Sequence, residues 1–361
     1  MAKQLHLQPA YPAYLTSAVQ SGFITGTLVF AILSIADRFS PSRVFFICAV
    51  IAAVVNLVST FNGLTTPLLI SIRFLTGFFL AGIYPVGMKI ASDHYEKGLG
   101  KSLGFLVGAL VLGTAFPHLL KSVTANLPWR YVIFATSALA VLGGLAMILF
   151  VPDGPYRKAG QRLNIGGFLK SFNDSKFRSA AFGYFGHMWE LYAFWVFVPV
   201  MLTAYKTNHP DLSLNVPFLS FLVIASGSFA CVFSGFISQR KGVKKVATIA
   251  LTLSCLCCLF SPLILGDAPI VVLLVFLFIW GMAVIADSPL FSTMVAQNAP
   301  QEWRGTSLTI VNCIGFAITI VSIQLINALR TPLNEEYIYV LLAIGPVLGL
   351  AALLSSKNAK A

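Results

Sequence analysis

Charged residues are scarce in this sequence. Only 10% of the 361 residues are Asp, Glu, Lys or Arg, whereas a soluble domain carries about 25%. This shortage excludes a soluble globular enzyme, because there are too few charges to cover a water-facing surface. Hydrophobic residues make up 57% of the chain. It also contains 28 glycines, a residue that membrane helices tolerate better than soluble helices do. The composition predicts an all-α membrane protein.

Sets of catalytic or metal-binding groups are also missing. The five histidines lie in different segments without an H-x-x-x-H pair, and no G-x-x-x-x-G-K-[ST] phosphate loop is present. ATP-driven pumping is therefore excluded, and a membrane enzyme has no candidate catalytic residues. All six cysteines lie in apolar stretches, and Cys255 and Cys258 form a C-x-x-C without histidine or carboxylate neighbours. We predict no enzymatic activity, no metal site and no cofactor.

Eleven apolar runs are long enough to cross a bilayer, which takes roughly 20 residues in a helix. Most connections between the runs are short, so neighbouring spans are predicted to be antiparallel. The chain is therefore predicted to be polytopic. The predicted spans are residues 14–36, 44–62, 66–92, 101–120, 130–151, 179–205, 214–238, 246–266, 269–296, 306–329 and 337–356.

One connection is long, polar and rich in Gly and Lys/Arg, and it separates five spans from six. It predicts a transmembrane half at residues 1–151, a cytoplasmic linker at 152–178 and a second transmembrane half at 179–361. Loops on the linker's side of the membrane hold 17 Lys and Arg, and the opposite side holds five. This asymmetry predicts a cytoplasmic C-terminus. It also explains the net charge of +12 by contact with anionic lipid, without nucleic acid.

The two halves repeat a pattern of glycine and proline. Gly77 and Gly281 are each followed eight residues later by a proline, and a further glycine then opens the next span. Segments interrupted by Gly and Pro at corresponding positions are typical of transporters built from structural repeats. The prolines are Pro85 and Pro289, and the later glycines are Gly100 and Gly305.

Two short basic loops resemble those of a known family. ADRFSPSR, residues 36–43, and GFISQRKGVKK, residues 235–245, are similar to the G-x-x-x-D-R-x-G-R-R loops of the major facilitator superfamily. The segment from Arg73 through Gly77 to Gly82 resembles that family's Arg-bearing fourth helix. The loop residues that carry the resemblance are Asp37, Arg38 and Arg43 in the first copy, and Gly235, Arg240, Gly242, Lys244 and Lys245 in the second.

The resemblance implies two six-helix halves with a pseudo-two-fold repeat, alternating access, and loops that act as gates between two states. The loops also depart from the pattern: Leu33 replaces a glycine, Ser40 and Pro41 stand where Gly-Arg is common, and Gln239 replaces an acidic residue. The first half has five spans, and matching the loops indicates that family helix one is absent. Either the start is assigned too far downstream, or the chain is a truncated paralogue. The G-P-x-x-G-G run of drug antiporters is missing from the fifth family helix.

Only two of the twelve carboxylates lie within the apolar spans, Glu190 and Asp287. Glu190 is eleven residues into its span, about halfway across at roughly 1.5 Å per residue. A charge at that depth is costly unless it is paired or hydrated, and it indicates a functional site. His187 lies three residues earlier on the same helical face, and histidine is the residue type that exchanges protons most readily near physiological pH. We predict that His187 and Glu190 couple transport to protons with the help of Asp287, and the alternative is a structural hydrogen bond.

Other residues within the spans are candidates for contact with a solute. Arg73 is the only arginine inside a span, where it binds an anion or pairs with a carboxylate. Alternatively, its side chain extends to the outer interface. Three aromatic side chains are candidates to line a cavity, and three further side chains to supply hydrogen bonds: Trp189, Tyr192 and Trp195, and Tyr84, Asn312 and Gln324.

Taken together, these features predict a secondary active transporter that moves a small solute, such as an organic acid or a small anion, with protons. A non-transporting sensor or scaffold, an inactive truncated paralogue and a drug or metabolite antiporter are the alternatives. We expect a monomer in the plasma (inner) membrane, in contact with lipid, protons and its solute.

Overall fold

The structure is a computed structural model that describes residues 11–95, 99–123, 128–157, 165–300, 304–331 and 333–355. Throughout these ranges the regular structure is helical, with no strand. Within these ranges eleven helical segments are long and apolar enough to span a membrane, which confirms the predicted all-α polytopic class with eleven spans.

The helices follow the apolar runs, with short additional helices between some of them. They are α1 Tyr11–Ile32, α2 Ile35–Arg38, α3 Pro41–Val58, α4 Thr66–Leu80, α5 Tyr84–His94, α6 Leu99–Val123, α7 Arg130–Phe150, α8 Ile165–Ser171, α9 Ser175–Asn208, α10 Val216–Lys241, α11 Val243–Leu265, α12 Ile270–Ala286, α13 Ser288–Asn298, α14 Arg304–Leu329 and α15 Ile344–Ser355, with a 3-10 helix at Ile338–Ala343 before α15.

Two of the spans are broken at corresponding points of the sequence repeat. The third span changes from α4 to α5 after Leu80, and the ninth changes from α12 to α13 after Ala286. A proline stands in the first turn of the helix that follows each break, where its missing N–H costs no hydrogen bond. The Gly/Pro pattern therefore marks two discontinuous helices.

The described residues form two compact units. Unit 1 lies within Met1–Leu99 and Thr124–Ile165, and unit 2 lies within Gly100–Val123 and Gly166–Ala361. By its contacts α6 belongs to unit 2, because its Gly104 and Gly108 let the helix approach the backbone of α10 closely. The division of the sequence into residues 1–151, 152–178 and 179–361 stays a prediction.

Each unit is built from lengthwise helix pairs. In unit 1, α1 packs along α4 and α3 packs along α7, with a small core of Val44, Cys48, Val86 and Ile90. In unit 2, α9 packs against α10, α12, α13, α14 and α15. The long helix α9 is therefore the element around which unit 2 is assembled.

Candidate transport site

The candidate site of unit 2 is built on α9, which is buried over most of its length. Neighbouring helices surround its middle, so polar side chains there lose contact with water. A buried polar group is costly unless it is hydrogen-bonded. The partners that α9 finds on other helices therefore decide what each polar residue does.

Glu190 is fully satisfied by three donors on two other helices. The indole N–H of Trp280 on α12 donates to Oε1 over 2.6 Å, and the thiol of Cys258 on α11 donates to the same oxygen over 3.2 Å. The hydroxyl of Ser254, also on α11, donates to Oε2. Glu190 thus joins α9, α11 and α12 in the interior of unit 2.

His187 pairs with Asp287. Nδ1 of His187 lies 2.8 Å from Oδ1 of Asp287, and the exposed fractions of the two side chains are 1% each. The remaining atoms, Nε2 of His187 and Oδ2 of Asp287, are buried and have no hydrogen-bond partner on another residue of the described ranges. The pair therefore joins a histidine to a carboxylate, and each keeps one further buried polar atom that has no partner among the described residues.

His187 was expected to pair with Glu190, but in the structure its partner is Asp287. Residues three apart differ by about 60° around a helix, and different neighbours contact the two side chains. His187 lies against the junction of α12 and α13, whereas Glu190 lies against α11 and the middle of α12. Spacing along α9 put the two residues near each other on the helix but could not identify the tertiary partner of either.

Asp287 lies at the break between α12 and α13. Its backbone oxygen accepts hydrogen bonds from the N–H groups of Leu290 and Phe291, over 3.0 and 2.8 Å, which anchors the first turn of α13. A carboxylate at a helix N-terminus interacts favourably with the helix dipole. Discontinuous helices supply ion and substrate sites in membrane transporters because their exposed ends carry partial charge.

The three aromatic candidates on α9 have different surroundings. The indole N–H of Trp189 donates to the backbone oxygen of Leu341 over 3.0 Å, so this polar tip is used in joining α9 to the 3-10 helix. Tyr192 lies between Trp195 and Phe316, with ring centroids 5.1 and 5.3 Å away. Nε1 of Trp195 is buried without a hydrogen-bond partner within the described ranges. Trp195 is therefore a better candidate for a solute contact than Trp189.

Two further polar candidates of unit 2 lie on α14. Asn312 is buried, and Gln324 is half-buried three turns further along the helix. Their predicted role as hydrogen-bond donors to a solute stays a prediction.

Arg73 of unit 1 is held by neutral groups. Its guanidinium donates to Oδ1 of Asn56 over 3.0 Å and to Oγ of Ser59 over 3.2 Å, both on or next to α3. The amide of Asn56 in turn donates to Ser137 on α7 over 3.0 Å. Among the residues that the structure describes, no carboxylate pairs with Arg73. Tyr84, the other polar candidate of unit 1, opens α5 after the break.

The first predicted gating loop begins at α2. Asp37 and Arg38 lie in this short helix, and Arg38 and Arg43 are exposed. The side chain of Asp37 lies outside the described part of the structure. Its expected role in a gating loop therefore stays a prediction.

In the second loop, Gly235 and Arg240 belong to α10, and Lys244 and Lys245 begin α11. Gly242 links the two helices with φ +89°, a backbone conformation that favours glycine. This explains the glycine of the second loop motif as a helix-linking residue.

A contact that the sequence patterns did not indicate ties the first loop to the segment after α7. Asp153 accepts a hydrogen bond from Oγ of Ser40 over 2.7 Å and forms an ion pair with Arg157, also over 2.7 Å. Arg157 further donates to the backbone oxygen of Phe39 over 2.8 Å. The start of the predicted linker therefore fastens the turn between α2 and α3, and no spacing rule links residues more than 100 positions apart.

The six cysteines are buried and free. The part of the chain that the structure describes contains no cluster of three or more His, Cys, Asp or Glu side chains able to hold a metal ion. Cys258 of the C-x-x-C instead donates to Glu190.

A comparison with protein families identifies the chain. The sequence pattern of the Major Facilitator Superfamily matches residues 1–323. The protein belongs to this superfamily. As a member of this transporter family it is a multi-pass integral membrane protein.

A solved structure shares the fold. The crystal structure of the nucleoside transporter NupG matches with a TM-score of 0.71, covering 98% of this chain and 92% of that one at 15% sequence identity. An identity this low shows the fold alone.

A curated relative is similar over a shorter stretch. Inorganic phosphate transporter 1-6 of Oryza sativa subsp. japonica is 33% identical over 116 residues, which is 31% of this chain. The matched stretch spans only 21% of that relative's length.

Proposed function

We propose that this member of the superfamily is a proton-coupled secondary transporter of a small anion, either inorganic or a small organic acid. The observation that carries the proposal is the buried His187–Asp287 pair at the break of a discontinuous helix. Solute and protons would move by alternating access, which needs no nucleotide.

Proton exchange is assigned to His187 and Asp287 rather than to Glu190. Each member of the pair keeps a buried polar atom without a partner on the described residues, which a proton or a bound water can satisfy. Glu190 already accepts three hydrogen bonds from donors that hold neighbouring helices. Loading or unloading a proton there would disturb the packing of unit 2.

An anionic solute is supported by Arg73. Among the described residues, the guanidinium of Arg73 inside its span is hydrogen-bonded by neutral oxygens alone. Its positive charge is therefore left for an incoming anion, and its planar donor fork suits a phosphate or a carboxylate. The local similarity to a phosphate transporter points to the same chemical class.

The basic loops support an orientation with the linker and C-terminus in the cytoplasm. In this orientation Asp37, Arg38 and the residues around Gly242 face the cytoplasm, where they would bias the equilibrium between two states of the transporter. The proposal places the protein in the plasma (inner) membrane as a monomer.

Transport by purified protein in liposomes tests the proposal. Radiolabelled inorganic phosphate and a set of short mono- and dicarboxylates serve as probes, with a pH gradient imposed in either direction. We expect at least one anion to accumulate against its gradient and a protonophore to abolish the accumulation.

Protein-free liposomes give the background of this assay. Exchange of an anion without accumulation under either gradient would contradict proton coupling. The absence of both flux and exchange for every anion would contradict anion transport and favour a sensor or scaffold.

A further inference from the structure

One face of α9 carries two buried polar groups that are separated by a glycine. Ser179, Gly183 and His187 are spaced four residues apart and therefore lie one above another on the same side of the helix. Oγ of Ser179 and Nε2 of His187 are both buried without a hydrogen-bond partner in the described ranges. Along the axis the two residues are about 12 Å apart, from a rise of about 1.5 Å per residue.

The ring of Phe291 fills the space between them. Phe291 on α13 is fully buried, and its ring centroid lies 6.0 Å from that of His187. A side chain at Gly183 would overlap the same ring, so the glycine is what allows the ring to lie there. An apolar ring at this point interrupts any chain of hydrogen bonds between Ser179 and His187.

A cavity opens on the Ser179 side of the ring. It has a volume of about 240 Å3 and is lined by Ser175, Arg178, Ser179, Phe182, Ala352 and Ser355 at one end of α9. At a share of about 30 Å3 per water in the liquid, such a volume holds several waters. Water therefore has room at this end of α9, and the ring of Phe291 lies between that end and His187 along the helix.

We propose that Phe291 is the gate that keeps protons in this cavity from reaching the His187–Asp287 pair. Hydrophobic constrictions close membrane pathways by excluding water, and this ring is placed to do so. The gate is linked to the pair, because the N–H of Phe291 donates to the backbone oxygen of Asp287 in the first turn of α13. A rotation of α13 at the break would move the ring off Gly183 and open a water path to the pair. The inference rests on the proposed function in that the pair must exchange protons.

The test is proton leak through purified protein in liposomes without any solute. A pH-sensitive dye inside the liposomes reports proton entry after an external acid pulse with the membrane potential clamped. We expect Phe291→Ala to raise the leak by about tenfold or more over wild type, because it removes the hydrophobic constriction. Phe291→Leu, which preserves more of the packing, should give a smaller increase in the same direction.

Three control variants identify the route of the leak. Phe194→Ala removes another fully buried ring from unit 2, one that packs on Trp280, and should not leak. Adding Asp287→Asn to Phe291→Ala should abolish the leak, whereas adding Glu190→Gln should leave it. Size-exclusion chromatography confirms that each variant is folded before reconstitution.

The outcomes separate the gate from the proposed function. Absence of leak in both Phe291 variants, with proton-driven accumulation in wild type, would overturn the gate alone. A leak that survives Asp287→Asn, or that Phe194→Ala reproduces, would also overturn it. A leak that depends on Asp287 in a protein whose wild type ignores pH gradients would support the gate and overturn proton-coupled transport.

Discussion

Glu190 is a residue whose environment favours a structural role. Its two carboxyl oxygens accept hydrogen bonds from Ser254, Cys258 and Trp280. Removing the carboxyl group would leave these three donors unpaired in the interior of unit 2. A buried donor left without a partner costs about 1–3 kcal/mol. The carboxyl therefore contributes to stability through the three helices that it joins.

Glu190→Ala should accordingly lower the unfolding free energy by about 2 kcal/mol or more, because it leaves unpaired donors and a cavity. Thermal unfolding in detergent measures the change. Glu190→Gln is the matched control, since its amide keeps the shape and can still accept from Trp280 while the Ser254 hydroxyl rotates. Equal unfolding temperatures for Glu190→Ala and wild type would contradict the structural role.

Arg73 is the residue on which the anionic class of solute depends. Arg73→Gln should raise the KM for the transported anion about tenfold or more, since a charge-assisted hydrogen bond is worth about 1.5–3 kcal/mol. Initial uptake rates over a range of anion concentrations give the value. Arg130→Gln is the control, because Arg130 lies at the start of α7 and bonds to Asn62. An unchanged KM in Arg73→Gln would exclude a solute contact.

At the scale of elements, the two broken spans show the repeat in three dimensions. Gly77 on α4 lies against the backbone oxygen of Val19 on α1, and Gly281 on α12 lies against that of Val223 on α10. The two glycines and the two valines are the same number of residues apart in the sequence. Equivalent helices therefore make the same close contact in each unit.

Replacing the glycine should force the helices of such a pair apart. Gly281→Ala puts a methyl group against the Val223 backbone, and we expect a loss of about 1–3 kcal/mol in stability, as for overpacked cores. Gly113→Ala on α6 is the control, because nothing lies within 4 Å of the position of its added methyl group. Thermal unfolding of both variants in detergent decides the point. Equal loss of stability in both would mean that the close contact is not what requires glycine at 281.

The elements themselves were largely predictable, but the contacts between them were not. Apolar runs indicate spans because each helix must satisfy its own backbone in lipid. The Gly/Pro pattern indicated the repeat, but the spans at 66–92 and 269–296 were predicted as continuous and the structure breaks each of them into two helices. The partner of His187 is 100 positions away on another helix, and the donors to Glu190 are at least 64 positions away. Those pairings depend on how helices rotate against each other, which spacing along one helix does not fix.

At the scale of the whole molecule, the proposed orientation in the membrane rests on the basic loops. Asn173→Cys, in the predicted cytoplasmic linker, should resist an impermeant thiol reagent in intact cells and react after the membrane is opened. Asp211→Cys, in the exposed loop between α9 and α10, should react from outside. The six native cysteines are buried, which keeps the background low. The opposite labelling pattern would reverse the orientation.

The central claim is that proton coupling passes through the His187–Asp287 pair. Anion accumulation driven by a pH gradient in liposomes tests it directly in a matched pair of carboxyl-to-amide variants. Asp287→Asn should lose accumulation yet retain anion exchange at equal pH, because the site loses titration but not its place in the fold. Glu190→Gln should still accumulate. Accumulation that survives in Asp287→Asn and disappears in Glu190→Gln would contradict the account and return the coupling role to Glu190.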